Sequence, residues 1–99
     1  MCQPCSMAFR VAAAIALAEA GEVEQASKRL DEAERLAGMW NGGPWVAAVW
    51  EARGVVRRAQ GNEERAVAMF GEAAAKYAEL GRTRDRERSL ARVAQATPA

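Results

Sequence analysis

The chain has 99 residues, 51% of them hydrophobic, with 14 basic and 13 acidic side chains and a formal charge of +1. That length suits one domain with a modest core, and the near-neutral balance excludes a global field that would draw in nucleic acid or an anionic membrane. Histidine is absent, which removes the commonest general base and the commonest metal ligand together, and no stretch is long enough to span a bilayer.

Alanine, glutamate and arginine dominate the composition and favour helix, while strand formers nowhere alternate with period two. An all-α fold is expected. Residues 1–6 form a lead-in containing Cys2-Gln-Pro-Cys5, with Pro4 at or before a helix start, where its missing N–H costs nothing. Residues 7–20 read as the first helix. The apolar run Val11–Ala18 followed by Ala18-Glu19-Ala20 has some look of a secretory signal. Arg10 is the only positive charge ahead of it, however, and alanine rather than leucine fills it, so a helix in a cytoplasmic protein is the expectation. Val11, Ile15 and Ala18 share one stripe while Phe9 and Ala13 lie elsewhere, as in a helix sandwiched between neighbours. Gly21 ends it. Residues 22–37 form the second helix, where Ala26, Leu30, Ala33 and Ala37 recur at the helical period. Glu22 and Glu24 suit its positive end, and Gly38 caps it.

The segment 39–44 is a loop, built on Asn41-Gly-Gly-Pro44, and Pro44 is able to open the next helix. Residues 45–60 form the third helix, with Val46, Val49, Trp50 and Val56 as core candidates. Gly61 turns the chain, Asn62 is a good N-cap, and Glu63 and Glu64 suit the first turn behind it. The fourth helix, to residue 80, carries the apolar stripe Ala66, Val67, Phe70, Ala73, Ala74, Tyr77 and Leu80. Gly81 stops it. Thr83 is the expected cap of a fifth helix over 83–96, with Leu90 and Val93 on its inner face, and 97–99 should fray. The domain is thus 7–96, divided into a hairpin at 7–38, a hairpin at 45–80 and a C-terminal capping helix.

Within this pattern Gly54 follows Trp50 by four residues, Gly61 follows Gly54 by seven, and Ala66, Phe70 and Ala73 complete a series. The spacing resembles a tetratricopeptide repeat, which has W-x2-L-G early and A-x3-F later. Arg53 stands where that family has Leu, Arg57 where it has a large aromatic, and Ala78 where it has Pro. Gly21, Ala26, Leu30 and Ala33 each lie 40 residues before Gly61, Ala66, Phe70 and Ala73. The motif therefore repeats, and the excess over the family's unit of about 34 residues falls in the Gly-Gly-Pro loop. The stretch from Tyr77 to Arg92, after the hairpin turn Ala59-Gln-Gly-Asn62, also resembles the helical-repeat part of large bacterial transcriptional regulators that join an ATPase to a LuxR-type DNA-binding domain. Neither the ATPase loop nor the DNA-reading helices are recognisable here.

The resemblance implies antiparallel helical hairpins stacked as a short solenoid of five helices, two and a half repeats. It implies a non-catalytic scaffold for protein–protein interaction, whose concave face is lined by the first helix of each hairpin. Val11, Ile15 and Glu19 would come from the first helix, Glu51, Val55 and Arg58 from the third, and Ser89 and Arg92 from the fifth. The apolar ones would anchor a peptide or protein partner and the charged ones orient it.

Cys2 and Cys5 have the spacing of a metal or redox pair. A closed zinc site needs four ligands, and the chain offers two thiols and no histidine, so no metal or other cofactor is expected. The alternative is a metal- or redox-dependent sensor or dimerisation module using Cys2 and Cys5, with a four-cysteine site shared between two chains as one form of it. Trp40 and Trp45 flank the loop; with Phe9 they are candidate interface residues, local packing under the loop being the plainer reading. Arg82, Arg84, Arg86, Arg88 and Arg92 crowd the fifth helix, but Asp85 and Glu87 interleave and aromatics are missing. A solvated, salt-bridged face is expected rather than a nucleic-acid surface. Glu19, Glu51 and Glu79 have no nucleophile beside them, so no catalytic constellation emerges. About three repeats are normally needed for a stable stack, which predicts a homodimer through the first helix or the segment 40–50.

Overall fold

The structure, a computed structural model, describes residues 3–38 and 44–95, with side chains over 8–36 and 45–95. Cys2, Trp40, most of the Gly-Gly-Pro loop and the tail lie outside the described residues, as does the side chain of Cys5. Five helices follow one another: α1 (Gln3–Glu19), α2 (Val23–Gly38), α3 (Pro44–Ala59), α4 (Glu63–Glu79) and α5 (Thr83–Ala94). No strand occurs among the described residues, so the fold is all-α, as expected.

Three of the four connections are the same turn. Gly21, Gly61 and Gly81 have φ of 88°, 82° and 72°, the left-handed region that only glycine enters without strain. Around each, the glycine N–H reaches back three residues and the next N–H reaches back five: Gly21 to Ala18 O and Glu22 to Leu17 O, Gly61 to Arg58 O and Asn62 to Arg57 O, Gly81 to Ala78 O and Arg82 to Tyr77 O. This paired closure satisfies the last carbonyls of one helix and folds the next one back beside it. The residue after each glycine is already the N-cap of the following helix. Asn62 performs that role with its side chain, accepting from the Arg65 N–H at 3.2 Å.

The same geometry corrects the expected start of α5. Arg82, not Thr83, occupies the N-cap, and it makes no side-chain cap bond. The turn consumes Gly81 and Arg82 as a unit, and Thr83 becomes the first helical residue. The lead-in is shorter than expected too: α1 begins at Gln3, with Pro4 in its first turn, where no intrahelical N–H is needed.

α1 packs on α2 and α3, α2 on α3, α3 on α4, and α4 on α5. The core is made mostly of small side chains: Ala14, Ala18, Ala26, Ala33, Val49, Ala52 and Ala66, with the larger Leu30 and Phe70 among them, are essentially inaccessible. Ala26, Leu30 and Ala33 of α2 and Ala66, Phe70 and Ala73 of α4 are all fully buried, so the 40-residue repeat read in the sequence is a repeat of burial as well. Phe70 explains Gly54. A Cβ built on Gly54 would stand 2.5 Å from Phe70 Cε1, so α3 and α4 approach across a bare backbone. Charged ties lie outside this core: Arg53 of α3 donates to Asp31 at 2.9 Å and Glu34 at 3.2 Å of α2, and Arg10 of α1 pairs with Glu32.

Two expected core residues are not core. Leu80 is 41% exposed and Leu90 40%, and the inner face of α5 is formed by Ser89 and by Val93, which packs against the core, together with arginines. Ser89 is fully buried, and its hydroxyl donates to the Phe70 carbonyl at 2.8 Å.

Candidate functional site

Residues 82, 85, 88, 92 and 95 of α5 recur every three or four positions. So do 45, 48, 51, 55 and 58–59 of α3, and 8, 11–12, 15 and 18–19 of α1. On each helix this is one stripe, and the three stripes line one groove with α3 as its floor. The groove has two cavities. The first, of about 250 Å³, is walled by Val11, Ile15 and Trp45 and reaches Glu51, Tyr77 and Arg88. The second, of about 270 Å³, lies further along and is lined by Ala18, Glu19, Val55, Arg58, Arg92 and Gln95. The first cavity takes the low-numbered residues of all three helices and the second the high-numbered ones, so α1, α3 and α5 run in the same direction.

Glu51 stands between the two cavities. It is only 2% exposed, and a carboxylate brought so far out of water is retained only with full compensation. Four donors supply it. Oε1 accepts from Tyr77 Oη at 3.0 Å and Arg88 Nη2 at 2.7 Å, and Oε2 accepts from Arg88 Nε at 2.9 Å and Arg92 Nε at 2.8 Å. Arg88 thus grips it with the two-pronged geometry that planar guanidinium allows. A further nitrogen of Arg88 donates to Asp85 at 2.7 Å, and Asp85 also accepts from Arg82 at 2.8 Å. Two arginines of α5 therefore close on a single carboxylate of α3, and Arg82 joins them only through Asp85.

The electrostatics follow from that crowding. Burial pushes the Glu51 carboxyl up, but the hydrogen bonds from Arg88 and Arg92 outweigh it and hold it below its ordinary value of 4.5. Burial, with the Glu51 charge beside it, drives the Tyr77 phenol well above its usual range. The hydrogen bond to Glu51 raises Arg88 still further. For Asp85 burial is again opposed, here by Arg82 and Arg88, and the net shift is downward. An ionised carboxylate with every acceptor position filled has no lone pair for an incoming proton. The cluster is built to hold helices and charges in place.

Arg58 forms a second node. Its Nε donates to Glu63 at 2.8 Å, its Nη2 donates to the Arg92 carbonyl at 2.7 Å, and its guanidinium lies 4.8 Å from the centre of the Phe70 ring. It thus pins the C-terminal end of α5 to α3.

Of the residues expected to meet a partner, Val11, Ile15, Glu19, Val55, Arg58 and Arg92 line the groove. Glu51 also reaches it, but its oxygens are spent on Tyr77 and the arginines. Ser89 lines neither cavity: it faces α4. Trp45 lines the first cavity and packs against the core. Phe9 is 70% exposed and lines neither. Arg88, Tyr77 and Asp85 were not anticipated. Tyr77 reads as one more member of an apolar stripe, and Arg88 as one of five solvated arginines. The signal that finds them is Glu51 itself, an acid at i+4 from Ala47 and i−4 from Val55 on an otherwise apolar helix face, with Arg88 and Arg92 also four apart.

No protein-family profile, no curated protein and no solved structure matches this chain. Among the described residues no group of three or more Cys, Asp or Glu is placed to hold a metal ion, and no helix is long and apolar enough to cross a membrane.

Proposed function

We propose that the chain is a non-catalytic protein-interaction module of tetratricopeptide type that holds an extended segment of a partner protein in the groove of α1, α3 and α5. The observation that carries this reading is the pair of cavities in line along one floor, the first with an apolar wall of Val11, Ile15 and Trp45 facing Arg82 and Arg88, the second bearing the Arg58 and Arg92 guanidinium groups. Polar groups at fixed positions within an apolar trough orient a bound chain and give it register. Glu51 keeps the floor rigid, so the groove exists before a partner arrives and little ordering cost remains. By the resemblance noted above, a place within a bacterial regulatory protein suits such a module.

Selection from a random peptide library displayed on phage, followed by amide and side-chain shift mapping, tests the reading. Selected peptides should perturb Val11, Ile15, Trp45 and Val55. Perturbations confined to the opposite surface around Trp50, Val67 and Gly71 would remove the groove from consideration.

A further inference from the structure

We infer that the outer face of α1 is a two-fold interface, on which a second copy of this chain packs its own α1 antiparallel, with Phe9 of each copy seated against Ala16 of the other. The inference stands apart from the groove reading and does not require it.

The internal repeat points to the face. Helical register places Phe9, Ala13, Ala16 and Ala20 on one stripe of α1, on the side away from the buried Val11, Ala14 and Ala18. At the 40-residue period the same places in α3 are held by Val49, Arg53 and Val56. Val49 and Val56 are 1% and 4% exposed, in one cluster with residues of α1 and α2, and Arg53 is tied to Asp31 and Glu34 of α2. A further period brings Ser89 and Val93 of α5 to the places of Phe9 and Ala13. Ser89 is buried against α4 and Val93 packs against the core. In α3 and α5, then, this stripe is covered by the helices before it. In α1 it is open: Phe9 is 70% exposed, and Ala16 and Ala20 are exposed with it.

The open stripe also lacks charge. From Gln3 to Ala18 the only charged residue is Arg10, and it pairs with Glu32 of α2. The exposed sides of the other helices carry Glu24, Lys28 and Arg29 on α2, Glu64 and Glu72 on α4, and Arg86 on α5. An exposed ring on a side with no charge to desolvate has the composition of an interface core, where aromatics are enriched and charged side chains depleted.

The rest of the molecule says what covers it. The α3–α4 hairpin is a surface that receives such a stripe, and α5 lies on it through Arg88 and Arg92 on Glu51 and Ser89 on Phe70. An α1 stripe put there in place of α5 brings no donor to Glu51, which is 2% exposed, and a buried carboxylate stripped of its partners is strongly unfavourable. Head-to-tail growth is closed in this way, and the stripe meets its own kind about a two-fold axis. Side-chain size then sets the direction. In a parallel pair Phe9 would meet Phe9. In an antiparallel pair centred between Ala12 and Ala13, position 9 falls opposite 16 and 12 opposite 13. Each ring enters the gap left by an alanine, and the helices close on methyl groups. The 17 residues of α1 span about 25 Å. One helix pair of that length buries less than the roughly 1,200 Å² of a stable complex, so the dimer is a weak one, with a Kd on the order of 0.1 mM.

Sedimentation equilibrium of the full chain tests the interface: the mean mass should climb from monomer toward dimer between about 10 µM and about 1 mM. Phe9→Ala and Ala16→Phe should each weaken association about 10-fold or more, the first by removing the anchor and the second by setting ring against ring. Joined in one chain, the two exchange ring and gap, and association should return to within about 3-fold of the original. Ala75→Glu, on the exposed side of α4, should change nothing. Unaltered melting of the variants at low concentration separates lost pairing from lost folding. Amide shifts of the unaltered chain on dilution give a second reading that needs no variant, and they should concentrate between residues 9 and 20. A chain that stays monomeric to about 1 mM leaves the face to a different protein and overturns the proposal. Association that persists in Phe9→Ala, or dilution shifts confined to α4, overturns it as well. A double variant no better than either single one overturns the antiparallel pairing.

Discussion

Replacing Glu51 by Gln keeps the shape of the side chain and removes the charge that Arg88 and Arg92 share. Breaking a buried pair from one side costs about 3–5 kcal/mol. Arg88 is 47% exposed at its side chain and Arg92 21%, so water recovers part of that, and a loss of about 1–3 kcal/mol in urea unfolding is expected. The pH dependence has a definite sign. Glu51 is depressed in the folded chain from an ordinary 4.5, and Asp85 from 3.8. The unfolded chain therefore takes up protons first. The stabilisation is complete above about pH 4.5 and disappears as acid reaches the folded values. Glu51→Gln should flatten the acid limb of a stability-versus-pH curve; an unchanged limb would mean that other carboxylates govern it. At Gly54 the expectation is steric. Alanine gains up to about 1 kcal/mol of helix propensity, yet its Cβ would stand 2.5 Å from the Phe70 ring. A net loss of about 1–3 kcal/mol by overpacking should appear in the same unfolding experiment. Gly54 was legible in the sequence through its place four residues after Trp50 in the repeat spacing, whereas Gly71, also within a helix, meets nothing within 4 Å. Glu51 was only half legible: its place on the groove face followed from the repeat, but its burial depends on Arg88 and Arg92 arriving from nearly forty residues away, which local spacing does not reveal.

Among the elements, α5 is held differently from the rest. α1 to α4 bury alanines, valines, leucine and phenylalanine, whereas the only fully buried residue described for α5 is Ser89. Its attachment combines the partly buried Val93 with the two arginines on Glu51, the Ser89 hydroxyl on Phe70, and Arg58 on its last turn. Elements with few buried apolar contacts open at lower free energy than the core. Amide exchange should accordingly be faster in α5 than in α3 or α4, and 1 M salt, where screening acts within about 3 Å, should widen that difference. Equal protection across α3, α4 and α5 would contradict this. The helices themselves were readable, since glycine punctuation and the apolar period located all five. The inner face of α5 was legible only in part: Val93 packs against the core as expected, whereas Leu90 satisfies the period but polar docking turned it outward.

At the scale of the molecule, the N-terminal hairpin packs onto the remainder chiefly through α3, which α1 and α2 both contact. Val49 lies in that seam, 1% exposed among residues of α1 and α2. Val49→Ala should destabilise by about 1–3 kcal/mol, and in a nearest-neighbour stack the loss should fall on one side of the seam. Faster amide exchange in α1 and α2 with α4 unchanged is the expected pattern; uniform acceleration would show the five helices to be one cooperative unit. The groove, in turn, is bounded by α1 on one side and α5 on the other, and among the described residues only α5 is tied to the floor by a buried charge. Glu51 is therefore a ruler as much as a tether. The length of one acidic side chain sets how far α5 stands from α3. Asp at that position, one methylene shorter, must either draw the arginines inward and narrow the trough or release one of them and let it gape. A change of calibre, and with it of which peptides fit, is thus available to this fold through a single carbon atom on its floor.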